Sequence, residues 1–130
     1  MNVMNRRELT GTNPLAAYQM AGGANINEGD IVCLDADGKA VEASDAAGLR
    51  VAGIAVRVDK GANMVEVRDG VVGLDLAESN TPTRGDRGKP VYAAGPTEVA
   101  VTSDNAVCVG VLVDVYDGEA HGATGTCLGV

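Results

Sequence analysis

The stretch Val51–Leu76, VAGIAVRVDKGANMVEVRDGVVGLDL, decides the fold class. In its first segment Ile54, Val56 and Val58 recur at every second position, which places them on one face of an extended chain. Turn residues follow at 60–63 and at 69–70, and the alternation resumes after each turn. The stretch therefore predicts three consecutive β-strands joined by tight turns.

Similar runs lie on both sides of this stretch. Upstream, an Asp-Gly pair at residues 37–38 separates the apolar run 31–34 from residues 39–42, which indicates a β-hairpin. Downstream, the long polar loop 78–89 leads to three further strands, and the tail 126–130 is expected to add an edge strand. We predict an all-β protein with a single small β-sandwich or β-barrel of about eight or nine strands. The three predicted downstream strands are 90–93, 98–102 and 107–115.

The chain also repeats itself. Residues 29–45, GDIVCLDADGKAVEASD, align without a gap with residues 88–104, GKPVYAAGPTEVAVTSD, and residues 53–58 then match residues 110–115. The repeat predicts a pseudo-two-fold, pseudo-symmetric barrel. A glycine at the same place in both copies indicates a β-bulge or a sharp bend.

The first residues differ from the rest, because they show no sustained apolar period. We assign residues 1–25 to an extended N-terminal arm and residues 26–130 to the β-domain. Pro14 suits the first position of a helix, so residues 15–20 are expected to form a helical turn.

Charge narrows the function classes. Eighteen acidic and ten basic residues give a formal net charge of −8. Nucleic acids and anionic membranes attract clusters of Lys and Arg, so we expect neither as a partner. The sequence also shows no secretory signal and no apolar run long enough to span a bilayer, which predicts a cytoplasmic site of synthesis.

Three cysteines, Cys33, Cys108 and Cys127, are widely spaced and form no CxxC motif. We expect them to be small buried hydrophobes in a reducing compartment. A disulfide remains an alternative, and the sequence does not select its pair.

Candidate reactive groups are few. His121 is the only histidine, and it is expected in an exposed Gly-rich loop without an orienting carboxylate. Asp35-Ala36-Asp37-Gly38 starts like a calcium loop, but the twelfth position is Ala46, so a hairpin turn is favoured. Arg84-Gly85-Asp86 is the tripeptide that integrins read, and it is interpreted here as an ordinary turn. We predict no catalytic residue, no metal site and no cofactor, and therefore no enzyme.

From about residue 30 onward, the chain resembles the small cement, or head-decoration, proteins of tailed bacteriophages. The matching elements follow the family order, and each is a short strand motif. They are Gly53-Ile54-Ala55, Val65 to Gly70, Gly88 to Tyr92, Glu98-Val99-Ala100 and Gly110 to Val115. The Gly-rich segment 118–125 departs from the family, which often ends in an apolar strand.

The resemblance implies a structural protein on the outer surface of the virion, assembled in the host cytoplasm. Its partner would be the major capsid protein, whose subunits it bridges, and self-association as a dimer or trimer is expected. We predict that the arm contacts the capsid or a neighbouring copy, or alternatively covers one end of the barrel. The candidate contact residues are Leu9, Leu15, Tyr18 and Met20, because aromatic and Met side chains are enriched at interface centres.

One further function class remains open from the residues alone. A small-molecule or glycan-binding β-barrel would need an aromatic platform or a deep apolar pocket. The chain has only three tyrosines and neither Trp nor Phe, so this class is the alternative rather than the first choice.

Overall fold

A computed structural model describes residues 15–69, 71–116 and 119–124. Within these ranges the chain forms ten β-strands and a single 3₁₀ turn at Arg84–Asp86. The all-β prediction is therefore confirmed. The strands are β1 (Leu15–Gln19), β2 (Ile31–Leu34), β3 (Ala40–Glu42), β4 (Arg50–Asp59), β5 (Met64–Arg68), β6 (Val71–Leu76), β7 (Pro90–Ala93), β8 (Glu98–Ala100), β9 (Cys108–Tyr116) and β10 (Glu119–Thr124).

The strands divide into two five-stranded units. The first has the order β1-β5-β4-β2-β3, and its two edges meet at one parallel bridge between Met20 and Ala40. The second is a closed barrel with the order β10-β6-β8-β7-β9. We name these units the N-barrel and the C-barrel. The two curled units agree with the predicted small β-sandwich or β-barrel, and each repeat supplies one of them: a five-stranded sheet in the first and a closed barrel in the second.

The two barrels have the same topology. In both, a hairpin (β2–β3 or β7–β8) is followed by a long strand (β4 or β9) and then by its antiparallel neighbour (β5 or β10). The strand that precedes each hairpin, β1 or β6, then pairs with that last neighbour. The repeat predicted from the sequence is thus a structural repeat. It extends to β1 and β6 and to β5 and β10, which the sequence alignment did not include.

The equivalence reaches individual bulges. In β4 the pairing with β2 shifts between Val51 and Gly53, and Gly53 lies opposite Val32. In β9 the pairing with β7 shifts between Cys108 and Gly110, and Gly110 lies opposite Val91. The predicted bulge at these glycines is confirmed, and at Gly53 the backbone φ is +150°, a value that favours glycine.

Two local predictions are wrong at the ends of the barrels. Residues 15–19 form β1 rather than a helical turn, because the exposed edge of β5 offers backbone partners along their whole length. The segment 119–124 is a strand rather than a loop, because it pairs with both β6 and β9. His121 therefore lies in β10, with Gly73 and Asp114 as its backbone neighbours. The predicted strand at 126–130 lies outside the described residues.

The N-terminal boundary also changes. Residues 15–25, which the sequence placed in the arm, contribute β1 and part of the core of the N-barrel. Met20 is only 5% exposed and packs in one cluster with Val32, Val65 and Val67. The part of the arm that precedes residue 15 lies outside the described residues.

A second and larger cluster joins the two barrels. Ile31, Cys33 and Ile54, on the outer face of the N-barrel, pack in one cluster with C-barrel residues such as Leu74 and Val91. Burial of such side chains stabilises a fold by about 1.5–3 kcal/mol each. This cluster makes the two barrels one folded unit.

Candidate interaction surfaces

The predicted contact residues have different positions in the structure. Leu9 lies outside the described residues, and Leu15 is the first residue of β1, opposite Arg68. Tyr18 is half-buried and packs against the core of the N-barrel. Met20 is a core residue, so the prediction that it contacts a partner is corrected: its side chain fills the interior of the N-barrel.

The edge of β1 that faces away from β5 carries little backbone pairing among the described residues. Met20 donates its N–H to the Asn63 carbonyl at 2.8 Å, on the β5 side, whereas Ala21 donates to the Ala40 carbonyl at 2.9 Å, on the β3 side. Because backbone groups alternate along a strand, the N–H groups of Ala17 and Gln19 point away from β5. Among the described residues, the bridge between Met20 and Ala40 is the one pairing on that side of β1.

The C-barrel closes more completely between β6 and β8, the strands equivalent to β1 and β3. Asp75 and Leu76 of β6 pair in parallel with Glu98 and Val99 of β8. Asp75 also donates its N–H to the Thr97 carbonyl at 2.9 Å. The edge of β1 in the N-barrel thus lacks a backbone pairing that the C-barrel makes at the equivalent position.

A hydrogen-bonded loop contact links the barrels at the surface. The Asp45 carboxylate accepts the backbone N–H of Asp104 at 3.0 Å and that of Asn105 at 2.9 Å. These bonds, with the Asn105 bond first, lower the pKa of Asp45 below its ordinary value. Asp45 and Asp104 occupy equivalent places in the repeat, so the chain uses one copy of this aspartate to hold the other.

A shallow groove of about 570 Å³ lies beside this contact. Four carboxylates line it, and the groove is otherwise formed by small and polar residues. Within the described part of the chain, His, Cys, Asp and Glu side chains form no group of three or more that could hold a metal ion. The carboxylates are those of Asp45, Glu78, Glu98 and Asp104.

The motifs that resembled binding loops are occupied by internal bonds. The Asp35 carboxylate accepts the N–H groups of Asp37 and Lys39 at 2.9 and 3.0 Å, as expected for a hairpin turn. In the Arg-Gly-Asp turn, Asp86 accepts the N–H of Thr83 at 2.9 Å, and Arg84 donates to the Val115 carbonyl at 3.0 Å. The hairpin and turn interpretations agree with these contacts.

The cysteines fall into two environments. Cys33 is a fully buried free thiol, and burial raises its pKa to about 11. Cys108 is half-buried and disulfide-bonded, so the expectation of a reduced, buried cysteine is wrong there. Cys127 lies outside the described residues.

No model of a known protein family matches this chain, and no curated protein sequence matches it either. Among the described residues, no helix is long and apolar enough to cross a membrane.

Proposed function

We propose that this chain is a structural virion protein that binds the outside of a bacteriophage capsid and bridges major capsid protein subunits. The open edge of β1 carries the proposal, together with the resemblance of residues 30–130 to capsid cement proteins. An extended segment of a capsid subunit would add to this edge as an extra antiparallel or parallel strand. Strand addition supplies affinity through backbone hydrogen bonds and needs no reacting side chain.

The geometry of the edge suits such a partner. Ala16 and Ala17 are exposed and small, so an added strand would meet little steric resistance. A net charge of −8 favours solubility at the high local density of a decorated shell. Many copies on one shell would also gain avidity.

Co-sedimentation with capsid shells tests the proposal. The chain would be purified and mixed with expanded, DNA-free shells assembled from the major capsid protein encoded nearest to it. We expect saturable binding at a fixed ratio of copies to capsid subunits. An absence of sedimentation with these shells, or binding only to a small molecule or glycan, would overturn the proposal.

A pair of variants tests the role of the β1 edge. Ala17→Pro removes the outward N–H while leaving the β5 side of the ladder in place, because Ala17 does not donate to β5. We expect about a tenfold loss of shell affinity, as one or two backbone bonds contribute about 0.5–1.5 kcal/mol each. Ala17→Thr keeps the N–H and serves as the matched control. Equal binding by both variants would exclude the edge as the contact.

A further inference from the structure

The cysteines of the chain differ in their bonding state. Of the two in the described part of the chain, Cys108 is disulfide-bonded and Cys33 is a buried free thiol. The bond of Cys108 lies within one molecule, since the structure is that of a single chain. The chain has three cysteines, so elimination leaves Cys127 as the residue that completes the bond.

The register of β9 and β10 brings the two cysteines within reach of each other. Thr124, the last residue of β10, lies opposite Gly110 of β9. Gly110 follows Cys108 by two residues, and Cys127 follows Thr124 by three. Two extended residues span about 7 Å and three span about 10 Å, so the chain length allows the Cα separation of about 5.5–6 Å that a disulfide needs.

β10 is the strand that such a bond would fasten. It closes the C-barrel by pairing with β6 on one side and with β9 on the other, and its sequence EAHGAT has little β-propensity. Its N-barrel equivalent, β5, has the sequence MVEVR and leads on to β6 of the C-barrel. β10 therefore has weaker support from its own side chains than β5 has.

We infer that Cys108 and Cys127 form an intramolecular disulfide, and that this bond fastens β10 to β9 and keeps the C-barrel closed. The 18 residues between the two cysteines include all of β10 and most of β9. A bond across this loop restricts the unfolded chain and so stabilises the folded one. In the reduced chain β10 depends on backbone pairing alone, so the closure of the C-barrel varies with the redox state.

Bond formation needs an oxidant, and a low-molecular-weight disulfide such as oxidised glutathione supplies it. One cysteine thiolate attacks a sulfur of the small disulfide and releases one small thiol. The second cysteine thiolate attacks the resulting mixed disulfide and releases the other. The two protein thiols thereby lose two protons and two electrons, and the small disulfide becomes two thiols.

Cys33 does not compete in this exchange. Its side chain is 0% exposed, and burial raises the pKa of its thiol to about 11. At neutral pH only about one molecule in ten thousand then carries the reactive thiolate at this position. The N-barrel thus holds an inert thiol, whereas the C-barrel holds a reversible bond.

Peptide mapping tests the pairing. The full chain would be treated with oxidised glutathione, unfolded, alkylated at its free thiols and cut after glutamate without reduction. This cleavage puts the three cysteines on three separate peptides, which are 29–42, 99–119 and 120–130. We expect 99–119 joined to 120–130, alkylation at Cys33, and migration as a monomer on a non-reducing gel.

Several mapping results would contradict the pairing. They are peptide 99–119 joined to 29–42 or to a second copy of itself, a disulfide-linked dimer on the gel, and alkylation of all three cysteines after oxidation. In Cys127→Ser, which lacks the inferred partner, we expect Cys108 to be alkylated.

Hydrogen exchange tests the effect of the bond on barrel closure. Backbone amides would be compared in oxidised and reduced wild type at one pH. We expect reduction to speed exchange in β10 on the order of tenfold, because the strand then opens by local unfolding, while β4 and β5 keep their rates. We also expect Tm to fall by about 10 °C. Equal protection of β10 in the two states would overturn the role in closure.

Two variants serve as controls for the reductant. Cys127→Ser should match the reduced wild type in exchange and Tm, and it should no longer respond to reductant. Cys33→Ala removes a thiol but leaves the bond, so its Tm should still fall by about 10 °C on reduction. A response to reductant that persists in Cys127→Ser contradicts the inferred bond. If Cys127→Ser does not fold, the reduced wild type provides the same comparison.

Discussion

The N-barrel and the C-barrel share one strand order and one set of bulges, yet equivalent strands lie in different environments. β2 is buried on both faces, whereas β7 buries Val91 and Ala93 and leaves Pro90 and Tyr92 half-buried. The comparison shows that the register and the bulges define the barrel. The residues on its outer face decide whether the barrel is covered by its neighbour.

The largest expected effect on the free energy of unfolding comes from the cluster between the barrels. Ile31→Ala removes a fully buried side chain from the cluster between the barrels, so we expect a loss of about 2–5 kcal/mol in the free energy of unfolding. Pro90→Ala, at the equivalent position, is expected to lower it by less than about 1 kcal/mol. Urea unfolding measures both. Equal losses would show that the two faces are buried alike.

A second substitution tests the shared bulge. A Cβ atom on Gly53 would lie 2.9 Å from the Arg68 carbonyl oxygen, and the backbone φ of +150° disfavours other residues. Gly53→Ala is therefore expected to destabilise the chain by about 1–3 kcal/mol in urea unfolding. Gly61→Ala, in an exposed turn with ordinary Cβ distances, is the matched control. A harmless Gly53→Ala would mean that the bulge tolerates a side chain.

A smaller effect concerns the loop contact between the barrels. The pKa of Asp45 is lowered in the fold, so its contribution to stability is present above the ordinary aspartate pKa of about 3.9. That contribution is lost as the pH falls through the folded value. We expect Asp45→Asn to lower Tm at neutral pH, and the difference from wild type to disappear in acid. Asp104→Asn, at the equivalent position, should leave Tm nearly unchanged.

The smallest effect lies on the outer surface of the N-barrel. Arg57 and Glu66 form an ion pair at 3.8 Å between side chains that are 69% and 39% exposed. Exposed pairs contribute little, so Glu66→Gln is expected to change the free energy of unfolding by less than about 0.5 kcal/mol. The backbone register places Asp114 and His121 at the equivalent positions. A change above 1 kcal/mol, measured in urea at low salt, would indicate a wider charge network.

Most of the strands could be predicted because apolar residues recur at every second position along them. β4 and β5 were predicted from Val51–Arg68 alone, and the Asp-Gly hairpin between β2 and β3 was predicted from its turn residues. The repeat was visible because its turns, bulge glycines and Ser-Asp loops keep the same spacing. These features depend on neighbours in sequence, which is why sequence alone was sufficient.

The remaining features depend on pairing between distant segments. β1 reads LAAYQ, which has little β-propensity, and it becomes a strand because β5 offers an unpaired edge. β10 reads EAHGAT, and it is held between β6 and β9 rather than by its own composition. The unequal burial of equivalent faces could not be predicted, because Ile31 and Pro90 occupy the same place in a local pattern.

The candidate contact residues likewise divide into those that local sequence could indicate and those that depend on distant packing. The arm was chosen for its composition, and Tyr18 does lie at a half-buried surface. Met20 was misplaced because a Met in an irregular segment gives no sign of the barrel that encloses it.

The proline at the start of β7 makes one backbone contact between the barrels one-sided. Ile31 donates its N–H to the Pro96 carbonyl at 2.7 Å, which fastens one barrel to the other within the chain. Pro90 stands at the equivalent place and has no N–H to donate. The backbone bond at the start of β2 therefore has no counterpart at the start of β7.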